Sequence, residues 1–236
     1  MKSTYWVSAL FLSIALVVAG YFIGNLQVNA KKYDRYVTVK GLSEREVAAD
    51  LAVWPINIIF TGNDLEELRG RIEAQNQEVS TFFSAQGFSP EEITRGPVNI
   101  NDIQANPYNS GATVNRYRYM AKSEFTLRTT DVAKLQTALS ESLKLLSRGI
   151  VMGSKNEWEP IEYIFTGLNA LKPEMVEEAT KNAREVADKF ARDSNSEVGQ
   201  IRVARQGLFS ITNRDANTPQ IKKVRVVTTI DFQLED

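Results

Sequence analysis

A short, densely charged segment contains the residues of this chain that could do acid–base chemistry. It lies between two apolar, strand-like runs and holds Glu44, Arg45, Glu46 and Asp50. Two carboxylates can serve as acid and base only when a pocket pushes their pKa values apart. The surrounding residues are polar, and nothing in the sequence indicates burial. We therefore interpret the segment as the solvated connection of a hairpin and assign no catalytic residue to it.

The amino-acid composition excludes several kinds of chemistry. The chain has 236 residues but neither histidine nor cysteine, which removes Ser-His-Asp and Cys-His catalysis, disulfides, zinc–thiolate sites and histidine-ligated metals. No phosphate-binding glycine loop occurs. Carboxylate chemistry, a lysine or threonine nucleophile, or an oxygen-ligated cation remains available. We expect a protein that is not an enzyme and has no cofactor or metal, with a carboxylate-based hydrolase as an alternative.

Charge and aromatic residues bear on the choice of partner. The net charge is −1, from 28 basic and 29 acidic residues, without a basic block, so we expect no nucleic-acid partner. Tyrosines and arginines alternate at Tyr117, Arg118 and Tyr119, with Tyr108 and Arg116 nearby. Such residues could stack on a ligand or form a protein interface. Cross-strand packing is the favoured interpretation, with residues 117–119 retained as a candidate interface.

The N-terminal segment has the length and composition of a membrane helix. Nineteen residues from Tyr5 to Ile23 carry no charge, and as a helix they would be about 28 Å long, close to the thickness of a hydrocarbon core. Secretory signal peptides have shorter apolar regions, so a retained anchor is preferred over cleavage after Ala30. Gly20 and Gly24 fit the small-xxx-small pattern of helix–helix contacts. We predict two parts, an anchor and short tether at 1–30 and one domain at 31–236.

Beyond the tether, the hydrophobic pattern alternates between strand and helix periods. Strands are expected at 36–40 and 51–60, the second with alternate apolar residues on one face and Pro55 marking an edge or a bulge. A helix capped by Asn63 should run to Gly87. Strands at 98–103 and 117–128 and a helix at 131–147 should follow.

The C-terminal half continues the same alternation. Strand-like runs at 150–158 and 161–165 precede a third helix from Glu174, with Pro173 at its start, and strands at 200–208 and 223–234 end the chain. The order ββαββαββαββ predicts an α+β fold, in which about three helices pack on antiparallel sheets after one transmembrane helix.

The third helix carries the clearest family signal. Alanine recurs every four residues at Ala179, Ala183, Ala187 and Ala191. Together with the stretches Val37–Gly41, Asp50–Ala52, Gly87–Phe88, Glu92–Thr94 and Pro107–Tyr108 and the alternating final strand, the chain from about residue 36 to 235 resembles the SIMPL family of bacterial envelope proteins.

The resemblance implies an α+β domain in the periplasm or cell envelope, self-association into homo-oligomers, and a connection with envelope or oxidative stress. It implies no catalytic residues. Our hypothesis is a non-enzymatic protein held in the inner membrane by its N-terminal helix, whose periplasmic domain assembles in a ring- or channel-like shell. The alternative is a module that captures a peptide, lipid or envelope protein on an exposed edge such as the strand of Pro55, or on the face formed by Tyr117 to Arg128.

Overall fold

The computed structural model describes residues 12–24, 35–105, 117–153 and 161–235. The helices are α1 (residues 12–24), α2 (Leu65–Ala85), α3 (Val132–Glu141), α4 (Leu143–Leu146) and α5 (Leu168–Asp193). The strands are β1 (Tyr36–Ala48), β2 (Leu51–Gly62), β3 (Ile93–Arg95), β4 (Asn99–Asp102), β5 (Tyr119–Thr129), β6 (Met152–Gly153), β7 (Glu162–Ile164), β8 (Glu197–Gln206), β9 (Ser210–Asn213) and β10 (Ile221–Glu235).

Contacts divide the chain into two compact units, the first formed by residues 1–45, 169–211 and 223–236 and the second by 46–168 and 212–222. One sheet has the order β1-β10-β8, with β9 also paired to β10. The other has the order β3-β5-β2-β6, with β4 on β5 and β7 on β2. The pairs β8–β10 and β2–β5 are antiparallel. The predicted α+β class with antiparallel sheets is confirmed.

The core of the first unit depends on the close approach of a helix to a sheet. The alanines at 179, 183, 187 and 191 are all buried on α5. Gly41 of β1 lies directly beneath them, and a Cβ atom there would overlap the carbonyl oxygen of Ala179. Larger residues, Val39, Ile230 and Phe232, fill the space beside this contact. The alanine period predicted a close-packing ridge, and the structure confirms it.

The core of the second unit is built instead from large side chains. Alternate residues of β2 are buried on one face, as predicted, and they are Ala52, Trp54, Ile56, Ile58 and Phe60. Helix α2 contributes Phe83, whose ring meets those of Trp54 and Phe88 edge-on at centroid distances of 5.7 and 6.0 Å. Edge-to-face packing is the favourable geometry for aromatic rings. This unit is therefore held by bulky aromatic contacts.

The element order differs from the prediction in three places. The short strands β3 and β9 were not expected, and the second helix is interrupted at Ser142 between α3 and α4. The third helix begins at Leu168, so Pro173 lies inside it and not at its start. The Asp50 carboxylate accepts hydrogen bonds from the N–H groups of Thr166 and Gly167, just before the helix. These contacts fix the earlier start.

Three local predictions on the first strands and helix are wrong. Strand β1 extends to Ala48, so most of the charged segment is strand. Pro55 lies in an interior strand, because β2 pairs with β5 on one side and with β6 and β7 on the other. The paired residues on that second side are 51–53 and 57–58, and Pro55 falls between them, where its missing N–H removes no ladder bond.

The cap of α2 is also not the predicted one. Asp64 accepts from the Glu67 N–H and is the N-cap, whereas Asn63 accepts from the Arg118 N–H at 2.9 Å. Asn63 thereby connects the start of α2 to the start of β5.

The predicted transmembrane segment is described only from residue 12, where α1 is exposed throughout. Within the described ranges, no helix combines the length and the apolar character that crossing a bilayer requires. Residues 5–11, the tether at 25–34 with Ala30, the loop at 106–116 with Tyr108 and Arg116, and residues 154–158 of a predicted strand lie outside the described residues.

Candidate interaction surfaces

The charged segment of β1 is a set of ion pairs. Arg45 bonds Glu174 at 2.6 Å and approaches Glu178 at 3.5 Å, and the hydrogen bond to Glu174 raises the pKa of Arg45. Ser43 is buried and donates to Glu178 at 2.9 Å. These contacts attach α5 to the end of β1. Exposed pairs of this kind stabilise weakly, and they leave no pocket in which two carboxylates could differ in pKa.

The remaining carboxylates of the segment also have structural partners. Glu44 pairs with Lys223 at 3.0 Å and Glu46 with Arg214 at 3.4 Å. Asp50 accepts from the N–H and hydroxyl of Thr166 and from the Gly167 N–H, at 2.8 to 3.0 Å. In the part of the chain that the structure describes, no group of acidic residues could hold a metal ion. The segment connects elements of the fold, although it is strand and not the solvated connection that we predicted.

The predicted contact residues Tyr117, Arg118 and Tyr119 lie at the start of β5. The Arg118 guanidinium donates twice to Asp102, at 2.9 and 3.1 Å, and lies 4.9 Å from the centroid of the Tyr119 ring. The hydrogen bond from Arg118 lowers the pKa of Asp102. An interface role for the three residues stays a prediction.

The strand of Pro55, named as an edge for the alternative hypothesis, is an interior strand, and the strand that carries the face at 117–128 is interior as well. Strand β5 lies between β2 and the short strands β3 and β4, and β2 lies between β5 and the strands β6 and β7. On its second side β2 is paired at residues 51–53 and 57–58, so it has partners on both sides. The edge position of Pro55 is therefore wrong, whereas capture on the face at 117–128 stays a prediction.

Gly20 and Gly24 lie one turn apart on α1. A Cβ atom at either position would meet nothing within 4 Å, so the backbone is accessible on that side of the helix. A helix–helix contact at these glycines stays a prediction.

Strand β8 forms an exposed edge of the four-stranded sheet. It follows β10 at the end of the strand order, and all of its residues are exposed or half-buried. Two apolar side chains on it, Ile201 and Val203, are 43% and 38% exposed. Ile201 is opposite the fully buried Phe232 of β10, so it lies on the α5 side of the sheet, yet α5 does not cover it. The sheet therefore extends beyond its helix on this side.

The pairing of β8 is irregular along its length. Its register with β10 shifts between Val203 and Ile201 and again between Ile201 and Val198. Such bulges limit strand addition at a sheet edge. The regularly paired part is Val203–Gln206, opposite Thr228–Asp231. We therefore expect a further strand to align along this part.

At the opposite edge of the same sheet, β1 has part of its backbone occupied. The Asn182 amide of α5 donates to the Leu42 carbonyl at 2.8 Å. Both edges carry exposed apolar side chains, Leu42 on β1 and Ile201 and Val203 on β8, and β1 is the edge whose backbone bonds a side chain of α5. The sequence predicted a strand at β8 but not its exposure. The uneven spacing of Val198, Ile201 and Val203 was the available signal, because a regular strand alternates every two residues.

An apolar cleft in the second unit is a further exposed feature. It has a volume of about 230 Å³, and buried Trp54 and Ile150 line it together with the exposed Leu143, Leu146 and Val151. Clefts of this size are below the range of typical ligand pockets. Its lining suits an apolar side chain better than a polar substrate.

The features described so far define an α+β protein in which, among the described residues, the end strand β8 and several apolar side chains are exposed. The family model SIMPL, described as a protein of unknown function (DUF541), matches residues 37–232. The chain belongs to this family, and the predicted resemblance is confirmed. A comparison with curated proteins gave no significant match.

Proposed function

We propose that this is a non-enzymatic, membrane-anchored cell-envelope protein whose SIMPL domain assembles with further copies of itself. A ring- or channel-like shell in the periplasm and a part in the response to envelope or oxidative stress are the finer parts of the proposal. The uncharged run from Tyr5 to Ile23 supports the anchor, and the absence of histidine and cysteine from the sequence supports a role without catalysis.

The observation that carries self-assembly is the exposed edge at β8. Ile201 and Val203 expose apolar surface to water. Burial of such surface stabilises an interface by about 25 cal/mol per Å². The outer backbone groups of an edge strand are also available to another chain. A second copy that aligned a strand along Val203–Gln206 and continued past it would pair these groups and lie beside Val203 on one face of the sheet and Ile201 on the other. Assembly by this edge uses both the polar and the apolar features of β8.

The native mass of the protein tests self-assembly and separates its sources. Full-length protein in mild detergent is compared with residues 31–236 by light scattering at micromolar concentration. Equal stoichiometry above one places assembly in the SIMPL domain, as we expect. Assembly only of the full-length protein would shift it to the helix with Gly20 and Gly24, and two monomers would contradict the proposal.

Membrane extraction tests the anchor independently. Full-length protein should stay in the membrane pellet after washing with alkaline carbonate, because a spanning helix is not released by high pH or salt. Residues 31–236 with a cleavable secretion signal provide the matched control and should appear in the supernatant. Release of the full-length protein would contradict the anchor without bearing on assembly.

A further inference from the structure

The face of the four-stranded sheet opposite α5 is exposed, and we name it the open face. On β10, Val224, Val226 and Thr228 point to the helix side and are buried, so the alternate residues point the other way. On β1 the same alternation places Val39 and Gly41 toward α5. The open face includes Tyr36, Thr38, Lys40 and Leu42 of β1, Lys223, Arg225, Val227, Thr229 and Asp231 of β10, and Val203 and Arg205 of β8.

The centre of the open face is positively charged. Asp231 accepts from Thr38 at 2.8 Å and from Arg205 at 3.3 Å, so its charge is already shared. Glu44, at the β1 end, is paired with Lys223. Lys40 and Arg225 are exposed and form no ion pair with another described residue. Glu197 and Glu235 are opposite each other at the far end of the sheet. The middle of the face thus offers cationic groups to a negative partner.

Apolar and aromatic groups accompany these cations. Tyr36 is 53% exposed, and the Arg202 guanidinium lies 4.9 Å from the centroid of its ring. Leu208, at the break between β8 and β9, is 95% exposed, the highest exposure of any large apolar residue described. Gly207 fixes the backbone there, because its N–H donates to the Val227 carbonyl and a Cβ would lie 2.6 Å from that oxygen. Leu208 is therefore presented to solvent on a fixed backbone.

The combination matches the chemistry of a bilayer surface. Basic side chains interact with anionic headgroups, and aromatic and aliphatic side chains enter the boundary between headgroups and acyl chains. Ten residues separate α1 from Arg35, a distance of at most about 35 Å when extended. Tyr36, the first residue of β1, is itself on the open face. A tethered face of this kind needs only weak intrinsic affinity, because the tether raises its effective concentration at the membrane.

We propose that the open face docks on an anionic phospholipid bilayer. Lys40 and Arg225 contact lipid phosphates, and Tyr36 and Leu42 of the same face enter the headgroup region. This inference rests on the membrane anchor of the proposed function and adds an orientation to it. The domain would lie with its sheet against the membrane and with α5 directed away from it.

The absence of cysteine from the chain allows a direct test with single labels. Thr229→Cys at the centre of the open face carries a fluorophore, and Lys181→Cys on the exposed side of α5 is the matched control label. Each full-length protein is placed in nanodiscs that contain quencher lipid, with either phosphatidylcholine alone or a mixture with phosphatidylglycerol. Discs with one copy and discs with two copies are compared.

We expect quenching at position 229 to be about threefold stronger with phosphatidylglycerol and to decline in about 0.5 M salt, because screening weakens contacts with headgroups. Lys40→Glu with Arg225→Glu should remove the difference, and Lys40→Gln with Arg225→Gln should reduce it. Quenching at position 181 should not respond to the lipid. Circular dichroism of each variant verifies that the fold is kept.

Three results would overturn the inference in distinguishable ways. Equal quenching at position 229 in both lipids, with the protein anchored in the disc, would refute docking and leave the anchor standing. Shielding of position 229 that depends on copies per disc and not on lipid charge would assign the face to a second copy. Protein that does not remain with the discs would refute the anchor and the docking together.

Discussion

The two units differ in how a helix packs on their sheet. In the first, α5 approaches the sheet so closely that alanines and Gly41 form the contact. In the second, Trp54, Phe83 and Phe88 fill a wider space beneath α2. A contact of small residues buries a narrow strip, which reaches Val198 at the start of β8 but leaves Ile201 and Val203 exposed. The unit with the tighter helix–sheet contact is therefore also the one that contains the exposed β8 edge.

The largest expected effect comes from the aromatic core. Phe83→Ala should lower the free energy of unfolding of the second unit by about 3–5 kcal/mol, because it removes a fully buried ring and leaves a cavity. Hydrogen exchange resolved along the sequence measures it, since two units need not unfold together. Phe190→Ala, at an exposed phenylalanine of α5, is the control and should change little. Equal effects of the two variants would refute the contrast in packing.

The contact between Gly41 and α5 should tolerate almost no added volume. Gly41→Ala should destabilise the first unit by about 3 kcal/mol, since its methyl group would force α5 from the sheet. Gly70→Ala on α2 provides a matched control, because a Cβ there meets nothing within 4 Å. This control should stabilise the second unit by about 0.5–1 kcal/mol. Unchanged hydrogen exchange of β1 and α5 in Gly41→Ala would contradict the proposed close contact.

Asp50 holds the residues that lead into α5. Asp50→Ala should cost about 1–2 kcal/mol, the usual loss when a side chain that caps a helix start is removed. The protection of the Thr166 and Gly167 amides should decrease, because both donate to this carboxylate. Asp50→Asn, which keeps one acceptor oxygen, should lose less. Retained protection in Asp50→Ala would show that the loop is held by other contacts.

The smallest effect concerns the pair of Arg118 and Asp102. The hydrogen bond from Arg118 lowers the Asp102 pKa from its ordinary value of 3.8, so the stabilisation is present above that pH and is lost as pH falls through the lowered value. Wild type should exceed Asp102→Asn slightly in melting temperature at neutral pH and match it in strong acid. Arg118→Gln should behave like Asp102→Asn. A difference in melting temperature between wild type and Asp102→Asn that grows toward acid pH would contradict this assignment.

Patterns that depend on periodicity were the ones that the sequence predicted well. Alternation along β2 identified its buried face, and the four-residue alanine period identified the contact side of α5. These signals work because each side chain's direction follows from strand or helix geometry. The α+β class follows from the order of such segments.

The failures share a different cause, which is the dependence of local structure on distant residues. Pro55 indicated an edge, but its position between two short partner strands made an interior strand acceptable. The start of α5 depends on Asp50, more than a hundred residues earlier. The exposure of β8 depends on how many strands of the sheet α5 covers. None of these relations is contained in a local window of sequence.

The most direct test of the central claim is the native mass of full-length Ile201→Lys beside that of Ile100→Lys in mild detergent. Both isoleucines are 43% exposed, but only Ile201 lies on the β8 edge, where a lysine opposes strand addition. We predict that Ile201→Lys shifts the protein toward monomer, whereas Ile100→Lys keeps the mass of the wild type. An unchanged oligomer in folded Ile201→Lys would contradict assembly through this edge.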